Sequence, residues 1–228
     1  VDNLEPFAGS DIESNTELRD RARLKLQSLS VNGPRGAYEF FALSAVTYAP
    51  LLNPARAMGT SITRARSVVD LATGDVNTFL ANSTGAPSSD DVDTVNLVLQ
   101  ANAVPLGITA NTIGATEVGI EVEARVYLPA GYDTTANRVL FQTALQDYFE
   151  VLKIGGLSDP GGDYTNVVPI ADVKGVLFEV GQAWGIPIQN ATLTLDGAED
   201  DITLALTTSS AEVAKLVPAT PTINFSPT

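Results

Sequence analysis

Apolar residues recur every three to four positions in some stretches of the chain and at every second position in others, and these two periods divide it into elements. Leu18, Ala22, Leu26 and Leu29 keep the helical period. Ser14 with Glu17 three residues later has the form of a capping box, so a helix is predicted from about Asn15 to Leu29. Its polar face holds Arg19, Arg21 and Arg23, and Leu24 points to that side too, about 240° round the helix from Leu18. Gly33, Pro34 and Gly36 then break the chain. Ala37 to Val46 reads as a second short helix rich in aromatics, stopped by Pro50 and Pro54.

Thr60 to Leu71 reads as strand, Thr73-Gly74-Asp75 as a turn and Val76 to Ala81 as the returning strand of a hairpin. Ser88 and Ser89 before Asp90 and Asp91 suit a helix start, and Val92, Val95, Val98, Leu99 and Ala103 then share one face. Pro105 and Gly107 end that helix, and Ile108 to Ala115 returns as strand. From Thr116 to Leu128 the alternation is nearly strict, with Val118, Ile120, Val122, Ala124, Val126 and Leu128 on one side. A long helix follows from about Thr135 to Lys153, burying Leu140, Phe141, Ala144, Leu145, Tyr148 and Leu152, with Gly155 and Gly156 as its stop. Beyond a glycine-rich loop, Val168 to Val173 reads as a helical turn. Val176 to Val180, Thr192 to Leu195, Ile202 to Leu206 and Thr222 to Phe225 read as strands, and Ala211 to Leu216 as a helical turn. The predicted class is α+β: a helical N-terminal segment over 1–59, a β-β-α-β module over 60–115 and a β-α-β-β module over 116–228, with mainly antiparallel sheets.

The chain has neither cysteine nor histidine, which removes disulfides, thiolate nucleophiles, Cys/His zinc sites and imidazole catalysis together. A Ser or Thr nucleophile would need a lysine as base, and Lys25, Lys153, Lys174 and Lys215 sit in no nucleophile motif. Asp90-Asp91-Asp93 reads as a helix start and Glu199-Asp200-Asp201 as a polar turn, with calcium at Asp196 to Asp201 the less favoured alternative because EF-hand spacing is missing. Gly155-Gly156 and Gly161-Gly162 form no phosphate-binding fingerprint. No catalytic residue, metal ligand or cofactor site is therefore expected. The net charge of -14 lies wholly beyond Asp70, which argues against nucleic acid as a partner. No apolar run is long enough to cross a bilayer, and Val1 to Ser10 has no signal-peptide pattern.

Several short motifs fall in a telling order: Glu13-Ser14, Thr16, Leu18, Arg19 and Arg21, then Gly36-Ala37-Tyr38. Gly74-Asp75-Val76, Pro87-Ser88 and Pro105-Leu106-Gly107 with Thr109 come next. Val122 to Leu128, the helix near Ala136 to Leu152, Ile170 with Gly175-Val176, and the strands from Ile202 onward complete it. In this order the chain resembles the baseplate J-like family of contractile phage tails over nearly its whole length. The resemblance begins at Leu4, without the further N-terminal segment common in that family, and Thr47 to Thr60 matches nothing in it. It implies a non-enzymatic wedge protein of a virion tail baseplate, assembled in the host cytoplasm. Such a protein pairs with copies of itself, joins other wedge and hub proteins in a ring, and relays the trigger for sheath contraction. Leu24, Tyr38, Phe40 and Phe41 are the candidate partner contacts, with core packing as their other reading. The alternative function is a secreted or surface carbohydrate-binding protein or glycoside hydrolase, for which Trp184 is the one tryptophan platform.

Overall fold

Small residues followed by aromatics let the helix that starts at Arg35 pack closely on its neighbours. A computed structural model describes residues 18–19, 21–22, 25–26, 35–53, 62–158 and 165–227. Helix α1 (Arg35–Leu43) buries Gly36, Ala37, Tyr38, Phe40, Phe41 and Ala42. The chain turns at Ser44 and continues as α2 (Ala45–Leu52), so the predicted single helix is two. Pro50 lies inside α2 and does not stop it at once. It lacks the N–H that would reach back one turn, and the helix ends two residues later. Upstream, Leu18, Arg19, Arg21, Ala22, Lys25 and Leu26 are helical, as predicted, but the face expected to be buried leaves Leu18 and Leu26 exposed. Leu24, Leu29 and Pro54 lie outside the described residues.

The next stretch forms a three-stranded sheet from β1 (Arg64–Val69), β2 (Val76–Ala81) and β3 (Ala110–Gly114), in the order β1-β2-β3. The predicted hairpin pairs Arg64 with Ala81 and Val69 with Val76. Helix α3 (Ser89–Asn102) is the crossover that lets β3 lie parallel to β2. Its start is as the sequence indicates: Ser88 accepts the N–H of Asp91, and the Asp91 carboxylate accepts the Ser88 hydroxyl at 2.8 Å. Tyr38, Phe40, Phe41, Leu80, Val95, Val98 and Leu99 form the core between α1, α2, α3 and this sheet.

The later part builds a second layered unit. The stretch predicted as one strand is two, β4 (Thr116–Ile120) and β5 (Val122–Leu128), in different sheets. The break falls at Glu121, whose N–H is taken by Asp196 Oδ1 at 2.7 Å and whose carbonyl accepts the Asp196 N–H at 2.9 Å. The expected inner face survives the break, with Ile120, Val122, Ala124, Val126 and Leu128 all buried. Helix α4 (Thr135–Val151) runs close to its predicted bounds and also buries Phe149. After the short strands β6 (Leu157–Ser158) and β7 (Thr165–Val168) comes α5 (Ile170–Trp184), where sequence predicted a helical turn and then a strand. Val173, Leu177 and Gly181 are its buried stripe at helical spacing, and Gly185 closes it in the left-handed conformation at φ 65°. The β-branched Val176 and Val180 had suggested a strand, but packing decides the element.

Strand β8 (Asn190–Leu195) follows, then β9 (Ile202–Thr203), shorter than predicted. Strand β10 (Glu212–Leu216) replaces the predicted helical turn, and β11 (Thr222–Pro227) closes the chain. The sheets are β11-β5-β8, β10-β4 and β6-β7-β9. Pairings β2-β3, β4-β10 and β5-β11 are parallel, so the sheets are more evenly mixed than the antiparallel expectation. Helices α4 and α5 cover the sheet β11-β5-β8 around Val126, Leu145, Phe149, Leu177 and Leu193. Each such side chain, fully buried, contributes roughly 1.5–3 kcal/mol.

Candidate functional site

Strand β2 is buried on both faces because two cores meet on it. Val76, Thr78 and Leu80 face the helices, while Phe79 and Ala81 face the later unit, where Ala115, Ile154, Ala211 and Val213 complete a second apolar layer. Backbone bonds stitch this seam: the Ala115 N–H donates to Leu80 O at 2.8 Å, Thr116 to Ala211 at 2.9 Å and Gly155 to Glu212 at 2.8 Å. The chemistry of the seam lies at its rim.

Arg64 stands there, 6% exposed. Its Nη1 donates to the carbonyls of Phe149 and Leu152 at 3.2 Å each, and its Nη2 donates to the carbonyl of Asn82. Helix α4 has no basic residue in its last turn, so an arginine from β1 supplies the cation that its C-terminal carbonyls favour. Burial lowers the Arg64 pKa, while Glu150 and then Glu117 raise it. Its Nε is buried without a hydrogen-bond partner among the described residues.

Beside it, Glu117 on β4 forms an ion pair with Lys215 on β10 at 2.8 Å and accepts the Ala86 N–H at 2.8 Å. The hydrogen bond from Lys215 lowers the Glu117 pKa, burial opposes it, and the Ala86 N–H and the charges of Lys215 and Arg64 add to the lowering. Glycine is required at position 85, where φ is 125° and a Cβ would lie 2.1 Å from Glu117 Oε1. Around these groups lies a cleft of about 260 Å³, floored by Phe149, Ala214 and Leu216 and rimmed by Ser83, Thr84, Gln146 and Glu150. Gln142 and Gln146 on α4 also hold the segment between β10 and β11, donating to Pro221 O at 3.0 Å and Ala219 O at 2.6 Å. What the arrangement does is join: it ties the end of α4, the β1-β2 hairpin and the β4-β10 ribbon.

The structure places Tyr38, Phe40 and Phe41 in the core, at 1%, 8% and 7% exposure, where Phe40, Phe41 and Tyr48 pack edge to face. Of the two readings open for these three residues, partner contact and core packing, this burial fits core packing and leaves them almost no surface to present. Leu24 lies outside the described residues. Asp90, Asp91 and Asp93 sit at the start of α3, and Asp201 accepts the first N–H of α5, that of Ile170, at 2.8 Å. Among the described residues no group of three or more acidic side chains could hold a metal, and no helix is long and apolar enough to cross a membrane.

Sequence reasoning missed Arg64, Arg66, Glu117 and Lys215. Two arginines at alternate positions of a strand that ends in valines were a usable sign, since they put charge on one face of a buried element. Nothing local could pair Glu117 with Lys215, 98 residues away. No protein-family model matches the chain, and no curated protein matches it.

Proposed function

We propose that the chain is a wedge component of the baseplate of a contractile tail or related injection machine, assembling with copies of itself and with other wedge and hub proteins. The observation that carries this reading is α2. Its sequence AVTYAPLL has no charged residue, it buries Ala45 and Ala49, and it leaves Val46, Leu51 and Leu52 exposed, Leu51 at 77%. A helix apolar on all sides belongs under cover, and a subunit interface covers it. The exposed Leu18 and Leu26 upstream, in the stretch that resembles the baseplate J-like family, add to the same surface chemistry. The joint around Arg64 supports the relaying part of the role, because displacement of α4 is passed to β1 through direct bonds.

The test is to coexpress the chain with the products of its neighbouring genes and determine the mass and shape of the complex by native mass spectrometry and electron microscopy. Ring or tail-like particles containing the chain are expected. A lone monomer that binds or cleaves a glycan would overturn the proposal in favour of the carbohydrate reading.

A further inference from the structure

In a chain with net charge -14, a notch between α1, β1 and the end of α4 concentrates positive charge. It encloses about 220 Å³ and is lined by Arg64, Arg66 and Lys153, with the single carboxylate of Glu39 and apolar walls from Leu43 and Val151. Glu39 is already engaged, accepting Arg35 Nε and the Ser67 N–H at 3.0 Å each. The guanidinium of Arg64 is held by carbonyls. That leaves Arg66 and Lys153. Among the described residues neither side chain has a hydrogen-bond or ion-pair partner, and Arg66 Nε is buried and unbonded. Burial lowers the Arg66 pKa, with Arg35 adding to the effect and Glu39 opposing it. Arg66 is half-buried with only the already engaged Glu39 to offset its charge, and Lys153 is exposed beside it, so an arriving carboxylate offsets the desolvation of Arg66 and pairs with both cations.

The same chain offers such carboxylates. The turn at Asp196 to Asp201 is exposed throughout and projects beyond β8. Two of its acids serve the fold: Asp196 holds Glu121, and Asp201 holds Ile170. Glu199 makes no such bond, and Asp200 bonds only the N–H of Asp201. We propose that the notch of one copy receives Glu199 and Asp200 of the next, a head-to-tail contact between two different surfaces. Repeated contacts of that kind close into a ring when their rotation permits. This rests on the reading that copies of the chain assemble with one another. Phosphate-rich polymers are the less suitable occupant, because the surrounding surface repels them.

The experiment uses the full chain in sedimentation velocity at low and at high ionic strength. The notch variant is Arg66→Gln with Lys153→Glu, and the turn variant is Glu199→Lys with Asp200→Lys; circular dichroism checks that both fold. The parent is expected to form higher-mass species that salt dissolves. Each variant alone should associate on the order of a hundredfold more weakly, since like charges then face each other. Mixed together they should associate again, because the acidic turn of one meets the cationic notch of the other and the basic turn meets the carboxylate introduced at position 153. The inference is overturned by a parent monomeric at every salt concentration, by variants that associate like the parent, or by a mixture that stays apart. If the chain enters ring particles with its neighbours while both variants enter equally well, the contact is wrong and the wedge reading stands. If the pair assembles as described but no such particle forms, the contact stands and the wedge reading falls.

Discussion

Arg64 provides from another strand what α4 lacks at its own end, a cation against the last carbonyls. Replacing it by methionine keeps the volume but strips the Phe149, Leu152 and Asn82 carbonyls of their donor. Arg64→Met is therefore expected to cost about 1–3 kcal/mol, the range for buried acceptors left unsatisfied, seen as a lower urea midpoint at unchanged slope. Glu117 bears on pH. Its pKa is depressed below the ordinary 4.5, so the unfolded chain binds the proton more readily than the folded one. Its contribution is present above that value and disappears as pH falls through the lower, folded value. The pair with Lys215 is more than a third exposed, so screening holds the effect to about 0.5 kcal/mol. Glu117→Gln should thus lower Tm slightly at neutral pH, and the gap to the parent should close in acid; a gap that widens would refute the assignment. Neither residue stood out in the sequence, because each matters through a partner that only the fold brings near.

At the scale of elements, what could be read depended on whether one face alone faces a core. The stretches that became α3, β5 and α4 keep a clean period, and the predicted bounds of the two helices and the end of β5 lie within a few residues of the observed ones; β2, buried on both faces, was legible from the turn before it instead. Helix α5 was misread because Val176 and Val180 sit beside its inward stripe and imitate a strand, and β10 because Glu212 to Leu216 packs on both sides and shows no alternation. The aromatic helix was located but its purpose stayed open between partner and core, since apolar surface for either looks alike in one dimension. Two substitutions separate those purposes. Phe41→Ala should cost about 3–5 kcal/mol, as deletion of a buried ring does, and lower the fraction folded. Leu51→Ser on the exposed side of α2 should change the stability of the isolated chain by less than about 0.5 kcal/mol while reducing its incorporation into the complex. Equal incorporation of the Leu51 variant would remove α2 from the interface.

For the molecule as a whole, the seam decides whether two units behave as one. The α1-α2-α3 layer on its sheet and the α4-α5 layer on β11-β5-β8 each hold a core of their own. Between them lies the smaller cluster of Phe79, Ala81, Ala115, Ile154, Ala211 and Val213, fastened at its rim by Arg64. A seam this apolar and this bonded should transmit unfolding from one unit to the other, so the parent is expected to melt in one calorimetric transition whose van't Hoff and calorimetric enthalpies agree. Val213, 0% exposed, is the place to open it. Val213→Asp forces an unpaired carboxylate into the apolar layer while leaving the two larger cores intact. Two separate transitions should then appear, each retaining its own enthalpy, and the coupling between the Arg64 rim and distant parts of the first unit should vanish with them. One transition merely displaced to lower temperature would mean instead that neither core stands without the seam. In that case a displacement at α4 could not be relayed through a joint and would have to deform the entire chain.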